Sequence, residues 1–133
     1  MTRREAREYA FKLIFEIPFY AEDRCEERLN FFFENLSDEP TDDDERYIKD
    51  VVTACFDHIE EIDSAISENL KNWKIERLSK VDLSILRLAA AEIKFIDSIP
   101  DKDSVNEAVN VAKKYGDDNS PSFINGVLAN LVG

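Results

Sequence analysis

Glycine and proline are scarce, with three and four among 133 residues. So few of these residues leave little material for the turns of an all-β fold. Histidine occurs once, at His58, and the two cysteines, Cys25 and Cys55, lie 30 residues apart. They form no CxxC pair, so no zinc pattern exists; reduced thiols, no disulfide and a cytoplasmic setting are expected. No apolar run approaches the roughly 20 residues of a membrane span. No apolar core follows the N-terminal charges, so no secretory leader is expected. A glycine-rich phosphate loop and a Ser/His/Asp or Cys/His set are also missing. These absences point away from an enzyme and away from any cofactor or metal.

What is present is charge on a globular background. Hydrophobic residues make up 44% and charged residues 35%, with a formal net charge of −12. The charge is uneven: residues 1–20 carry net +1, residues 21–72 net −12 and residues 73–133 net −1. The acidity is read first as a solvated helix surface; a field that repels nucleic acid or attracts a basic protein is the functional alternative.

Helical periodicity dominates, and the expected fold class is all-α: one domain, 1–133, of about seven helices in two packed subdomains. Thr2-Arg3-Arg4-Glu5 has the form of a capping box opening a helix over about 3–17, closed by Pro18. Residues 22–36 read as a second helix. Thr41 caps a third over about 42–59, with the Asp42–Asp44 cluster in its first turn. Asp63 is read as the cap of a short helix ending near Trp73. Ser79-Lys80-Val81-Asp82 and Ser104-Val105-Asn106-Glu107 repeat the box form, Gly116 is a C-terminal stop, and Ser120-Pro121 opens the last helix. The helix over about 80–96 is apolar around most of its circumference and reads as central. Glu92 falls on its apolar side and requires an Arg or a helix N-terminus as partner.

On a helical wheel the first helix divides into three sectors. Ala6, Ala10, Leu13 and Ile17 form the core stripe, and Glu5, Glu8, Lys12 and Glu16 face solvent. Arg4, Arg7, Phe11 and Phe15 fall together in the third sector, with Arg3 bordering it. One reading is an extension of the core with snorkelling arginines. The other is a nucleic-acid contact, in which guanidinium groups pair with phosphates and rings stack on unpaired bases. Single-stranded RNA suits that pattern better than duplex. Three arginines neutralise about three phosphates, a salt slope near −2 for a single strand, which is weak binding that needs a second component.

The motifs R-x-x-A-R near the N-terminus, K-V-D-x-x-I-L-R-L-A-x-x-E-I, V-N-E-A-V-x-x-A-K-K-Y-G and S-P-x-F-I-N-G-V-L occur in that order. Together they resemble the NusB family of transcription antitermination factors, most strongly over residues 77–128. The resemblance implies a compact all-α fold, binding of boxA-type RNA, partnership with the ribosomal protein NusE and a place in the RNA polymerase antitermination complex. By position it implies that Arg3, Arg4, Arg7, Phe15 and Phe123 contact RNA, and that Asp82 and Asn119 lie toward NusE. Charge reversal of Arg4 plus Arg7 is expected to abolish RNA binding and leave the fold intact. Glu5, Ser122 and Asn119 depart from the family pattern, each making the surface less basic or altering a partner position. Asn125 and Gly126 are read as packing residues, the glycine for close helix approach. Two alternatives remain at this point: an RNA-binding accessory domain like that of ribosomal RNA cytosine methyltransferases, and a helical homodimer that covers the arginine ridge.

Overall fold

The computed structural model describes residues 1–17 and 24–133. Pro18, read above as a helix stop, lies outside the described residues. Among those described are seven α-helices and no strand: α1 (Arg3–Phe15), α2 (Cys25–Glu34), α3 (Asp42–Asp57), α4 (Ile59–Glu68), α5 (Lys80–Phe95), α6 (Asp101–Tyr115) and α7 (Ser120–Val132). A short 3₁₀ turn, Ile75–Arg77, precedes α5. This is the all-α single domain that the periodicity predicts.

Three helix starts, at Thr2, Thr41 and Ser79, follow their sequence signals closely. Thr2 Oγ1 accepts from the Glu5 amide at 3.1 Å and Glu5 Oε1 accepts from the Thr2 amide at 2.8 Å, a complete capping box. Thr41 Oγ1 accepts from the Asp44 amide at 3.1 Å, and Asp42–Glu45 place four carboxylates at the positive end of α3.

Other starts differ from expectation. α6 begins at Asp101 behind Pro100, so Ser104 is a helix-interior residue rather than a cap. Its hydroxyl donates to Glu92, which explains why a polar residue sits there. Asp63 lies inside α4 and pairs with Arg87 of α5 at 2.9 and 2.8 Å. Asn119, not Ser120, occupies the N-cap of α7, and the orphan amides of Asn119 and Ser120 donate to Asp117 Oδ1 at 2.9 and 3.1 Å. Gly116 ends α6 in an extended conformation, φ −90°, so its role is steric rather than left-handed. A β-carbon there would lie 2.5 Å from Ser120 Cβ.

α5 is central, as its near-uniform apolar surface predicts. It packs against α1, α3, α4, α6 and α7. Two groups share it: α1–α3, and α4 with α6 and α7. Ile85, Leu86, Leu88, Ala89, Ala90 and Ala91 are buried, and the alanines let neighbouring helices come close. Both cysteines are buried free thiols. Burial pushes the Cys55 thiol up to about 12, so it is unreactive near neutral pH.

Candidate nucleic-acid interface

The arginines of α1 do not form a uniform ridge. Arg7 is only 6% exposed, and Phe11 is buried with it. The core stripe of α1 is therefore wider than the wheel suggested: Ala6, Arg7, Ala10, Phe11, Leu13 and Ile14. The reason is Glu92. Its carboxylate, 1% exposed on α5, receives Arg7 Nε at 2.9 Å and Arg7 Nη2 at 3.1 Å. Tyr47 Oη of α3 donates to it at 2.6 Å and Ser104 Oγ of α6 at 2.9 Å. Four hydrogen bonds from α1, α3 and α6 thus satisfy one buried carboxylate, which offsets the cost of its desolvation. The partner expected for Glu92 is found, and it is Arg7.

Burial pulls the Arg7 guanidinium toward its neutral form, but the Glu92 hydrogen bonds and the surrounding charges more than reverse this, raising its pKa. Tyr47 is pushed well above its ordinary range by burial and by the Glu92 charge, so it remains a donor. With its carboxylate fully engaged, Glu92 has no free lone pair for acid–base chemistry. Reversing the charge of Arg7 would set two negative groups side by side in the interior. The expectation that the Arg4 plus Arg7 reversal spares the fold is therefore corrected.

Arg3 and Arg4 stay at the surface. Arg3 Nε donates to Asp44 Oδ1 at 2.8 Å, its guanidinium lies 4.6 Å over the Tyr47 ring, and its side chain is 43% exposed. Arg4 is 65% exposed and reaches Glu107 Oε1 of α6 at 3.1 Å. Glu107 is held below the usual carboxylate range; burial opposes the shift, and the Arg4 hydrogen bond with the charges of Arg4 and Arg7 outweighs it. Exposed pairs of this kind contribute little and exchange readily for another anion.

Toward the C-terminal end of α1 a cationic and aromatic cluster gathers from three helices. Phe15 is half-buried beneath Lys80 Nζ, 4.6 Å from the ring centre. Phe11 lies 5.1 Å from the Tyr115 ring. Lys12 Nζ and Lys114 Nζ stand 5.8 and 5.4 Å from Tyr115. Glu8 accepts from Lys114 Nζ and from Tyr115 Oη, both at 2.6 Å, joining α1 to α6. These bonds hold the Glu8 carboxyl below its usual range against the opposing effect of burial. Lys80, Lys114 and Tyr115 were not singled out in the sequence. The K-K-Y run at 113–115 is the one visible signal for Lys114 and Tyr115, because nothing local places α6 beside α1.

Phe123 is half-buried near the start of α7 and packs against the core edge. Asn119 is exposed, and among the described residues its side chain makes no hydrogen bond. Asp82 lies in the first turn of α5, its amide donating to Ser79 Oγ at 3.1 Å. Its Oδ1 is a buried side-chain oxygen with no hydrogen-bond partner among the described residues. Gly126 has open space where a side chain would project and is exposed, so the packing role expected of it is corrected.

This architecture and its sequence have clear relatives. The model of the NusB family matches residues 4–133. The transcription antitermination protein NusB of Agathobacter rectalis is 46% identical over 132 residues, spanning 99% of this chain and 100% of the relative. That of Clostridium novyi is 47% identical over 132 residues, spanning 99% and 98%. Among solved structures, T. maritima NusB superposes with a TM-score of 0.83 at 32% identity, covering 98% of this chain and 90% of its own. A structure of antitermination factors NusB and NusE in complex with dsRNA gives 0.79 at 33% identity, covering 97% and 94%. With a family match and full-length relatives of this identity, the chain belongs to the NusB family.

Proposed function

We propose that the chain is a transcription antitermination factor that binds boxA-type RNA jointly with NusE, acting by recognition rather than catalysis. Its relatives carry the name transcription antitermination protein, and a structural neighbour is a complex of NusB and NusE with dsRNA. The carrying observation on this molecule is that exposed Arg3 and Arg4 and the half-buried Phe15 lie along α1 in a chain of net charge −12. Arg3 and Arg4 at one end, with Phe15 and Lys80 toward the other, offer phosphate partners and a stacking ring. Phe123 adds a second ring on α7. Arg7 and Phe11, being buried, support this surface from beneath: Arg7 fixes Glu107, which in turn fixes Arg4.

Asp82 and Asn119 form the NusE side of the reading. Asn119, exposed and with no side-chain hydrogen bond among the described residues, leaves its amide open to a partner chain. The setting is the RNA polymerase antitermination complex, and hence the cytoplasm.

The test is titration of a boxA-like single-stranded RNA into the chain alone and into an equimolar mixture with NusE, at two salt concentrations. Tighter binding in the mixture is expected, with affinity falling as salt rises. Arg3→Glu combined with Arg4→Glu should weaken binding about tenfold or more, with the circular dichroism spectrum unchanged. Unchanged affinity in that folded double variant would remove RNA from this face.

A further inference from the structure

The segment joining α4 to α5 holds a second concentration of positive charge that the α1 face does not use. Residues 71–77 contain Lys71, Lys74 and Arg77 against a single carboxylate, Glu76. Lys71, Lys74 and Arg77 are exposed, and among the described residues their side chains enter no ion pair and no hydrogen bond. Between them stands Trp73, the chain's single tryptophan, 58% exposed. An indole of that size is normally drawn well into the interior, so its exposure calls for a partner.

The segment is pinned rather than frayed. Asn72 takes the left-handed conformation, φ 68°, which asparagine tolerates and which turns the chain just ahead of Trp73. Ile75 and Leu78 then anchor it to the core, and the Arg77 amide closes the 3₁₀ turn on Lys74 O at 2.9 Å. Trp73 is thus held outward between two fixed points. Two residues beyond Leu78, Lys80 covers Phe15 at 4.6 Å, so the chain that leaves the segment runs directly into the α1 face.

We infer that this segment is an additional RNA contact, in which Trp73 stacks on an unpaired base and Lys71, Lys74 and Arg77 neutralise the flanking phosphates. The inference rests on the RNA-binding reading above and extends it to residues on another element. A ring with cations on both sides matches a single strand, which alternates stacking surfaces with one negative charge per nucleotide. A protein partner would have to bring a matching row of acids to the same place.

Because Trp73 is the only tryptophan, its emission reports this site alone. Single-stranded boxA-like RNA, added to the chain with a tryptophan-free NusE, is expected to quench that emission and to shield it from acrylamide. Lys71→Ala, Lys74→Ala and Arg77→Ala together should lower the magnitude of the salt slope by about 2. Trp73→Ala should weaken binding, read by anisotropy of labelled RNA, about tenfold. RNA bound by the wild-type chain with Trp73 emission unchanged, and with affinity equal in the variants, would overturn the inference and leave the RNA-binding reading standing. A response to NusE alone with none added by RNA would assign the segment to the protein partner and overturn it too. An equal response to a duplex of the same length would overturn the stacking. If no RNA binds the wild-type chain, with or without NusE, both readings fall.

Discussion

At Glu92, loss of the carboxylate would leave the Arg7 guanidinium buried without its counter-charge and Tyr47 and Ser104 without their acceptor. Glu92→Ala is therefore expected to destabilise the fold by about 3–5 kcal/mol, read from the urea midpoint. Replacing Arg7 and Glu92 together with apolar residues should lose much less, because no uncompensated charge remains. Near-equal losses in the single and double variants would mean that the network contributes through packing alone. The sequence made Glu92 conspicuous, because a carboxylate on an apolar face needs a partner. It could not name that partner: Arg7 lies 85 residues away, and on the wheel it looked like a surface residue. A buried pair disguises each member, since the arginine reads as solvent-facing until the acid opposite it is known. Gly126 misled in the other direction, its apparent packing role dissolving into open space. Gly126→Ala should raise stability by about 0.5–1 kcal/mol, as for any exposed helix-interior glycine, measured by thermal unfolding.

Among the elements, the α6–α7 turn is the least tolerant of change. A β-carbon on Gly116 would meet Ser120 Cβ and Oγ at 2.5 Å and the Ala112 carbonyl at 2.9 Å. The neighbours are a helix start and a helix end, neither free to recoil. Gly116→Ala should cost about 1–3 kcal/mol and shift α7 relative to α6, visible as amide shift changes spreading to Phe123 and Asn119. Shift changes confined to residues 115–117 would show that the turn absorbs the methyl locally. Helix existence and order were legible in the sequence because each helix carries its own periodicity. Starts were legible where the cap is a side chain bonding three residues on, as at Thr2 and Thr41. They were not legible where another residue took over the task, as Asp117 does for α7, or where the start has no side-chain cap, as at Pro100 for α6. Serine followed three residues later by an acid is common enough to occur inside a helix, and Ser104 with Glu107 does so because both side chains have tertiary partners.

For the molecule as a whole, acid is the condition that should loosen it. Glu8 and Glu107 both titrate lower when folded than their ordinary 4.5, Glu8 through Lys114 and Tyr115 and Glu107 through Arg4. Their stabilisation is complete above that pH and is lost as pH falls through the lower folded values. Stability should therefore decline below about pH 4.5, and less steeply in Glu8→Gln and Glu107→Gln, which have no such proton to take up. Both pairs tie α1 to α6, so acid would weaken the joint between the chain's first and sixth helices. The Glu92 hub has a consequence for biosynthesis. Its members sit at positions 7, 47, 92 and 104, and Arg4 is steadied from position 107. A nascent chain on the ribosome has made its arginines long before it has made the residues that seat them. The basic tip of the first helix takes its final form only after most of the polypeptide has emerged, so an incomplete translation product carries the charges without the surface.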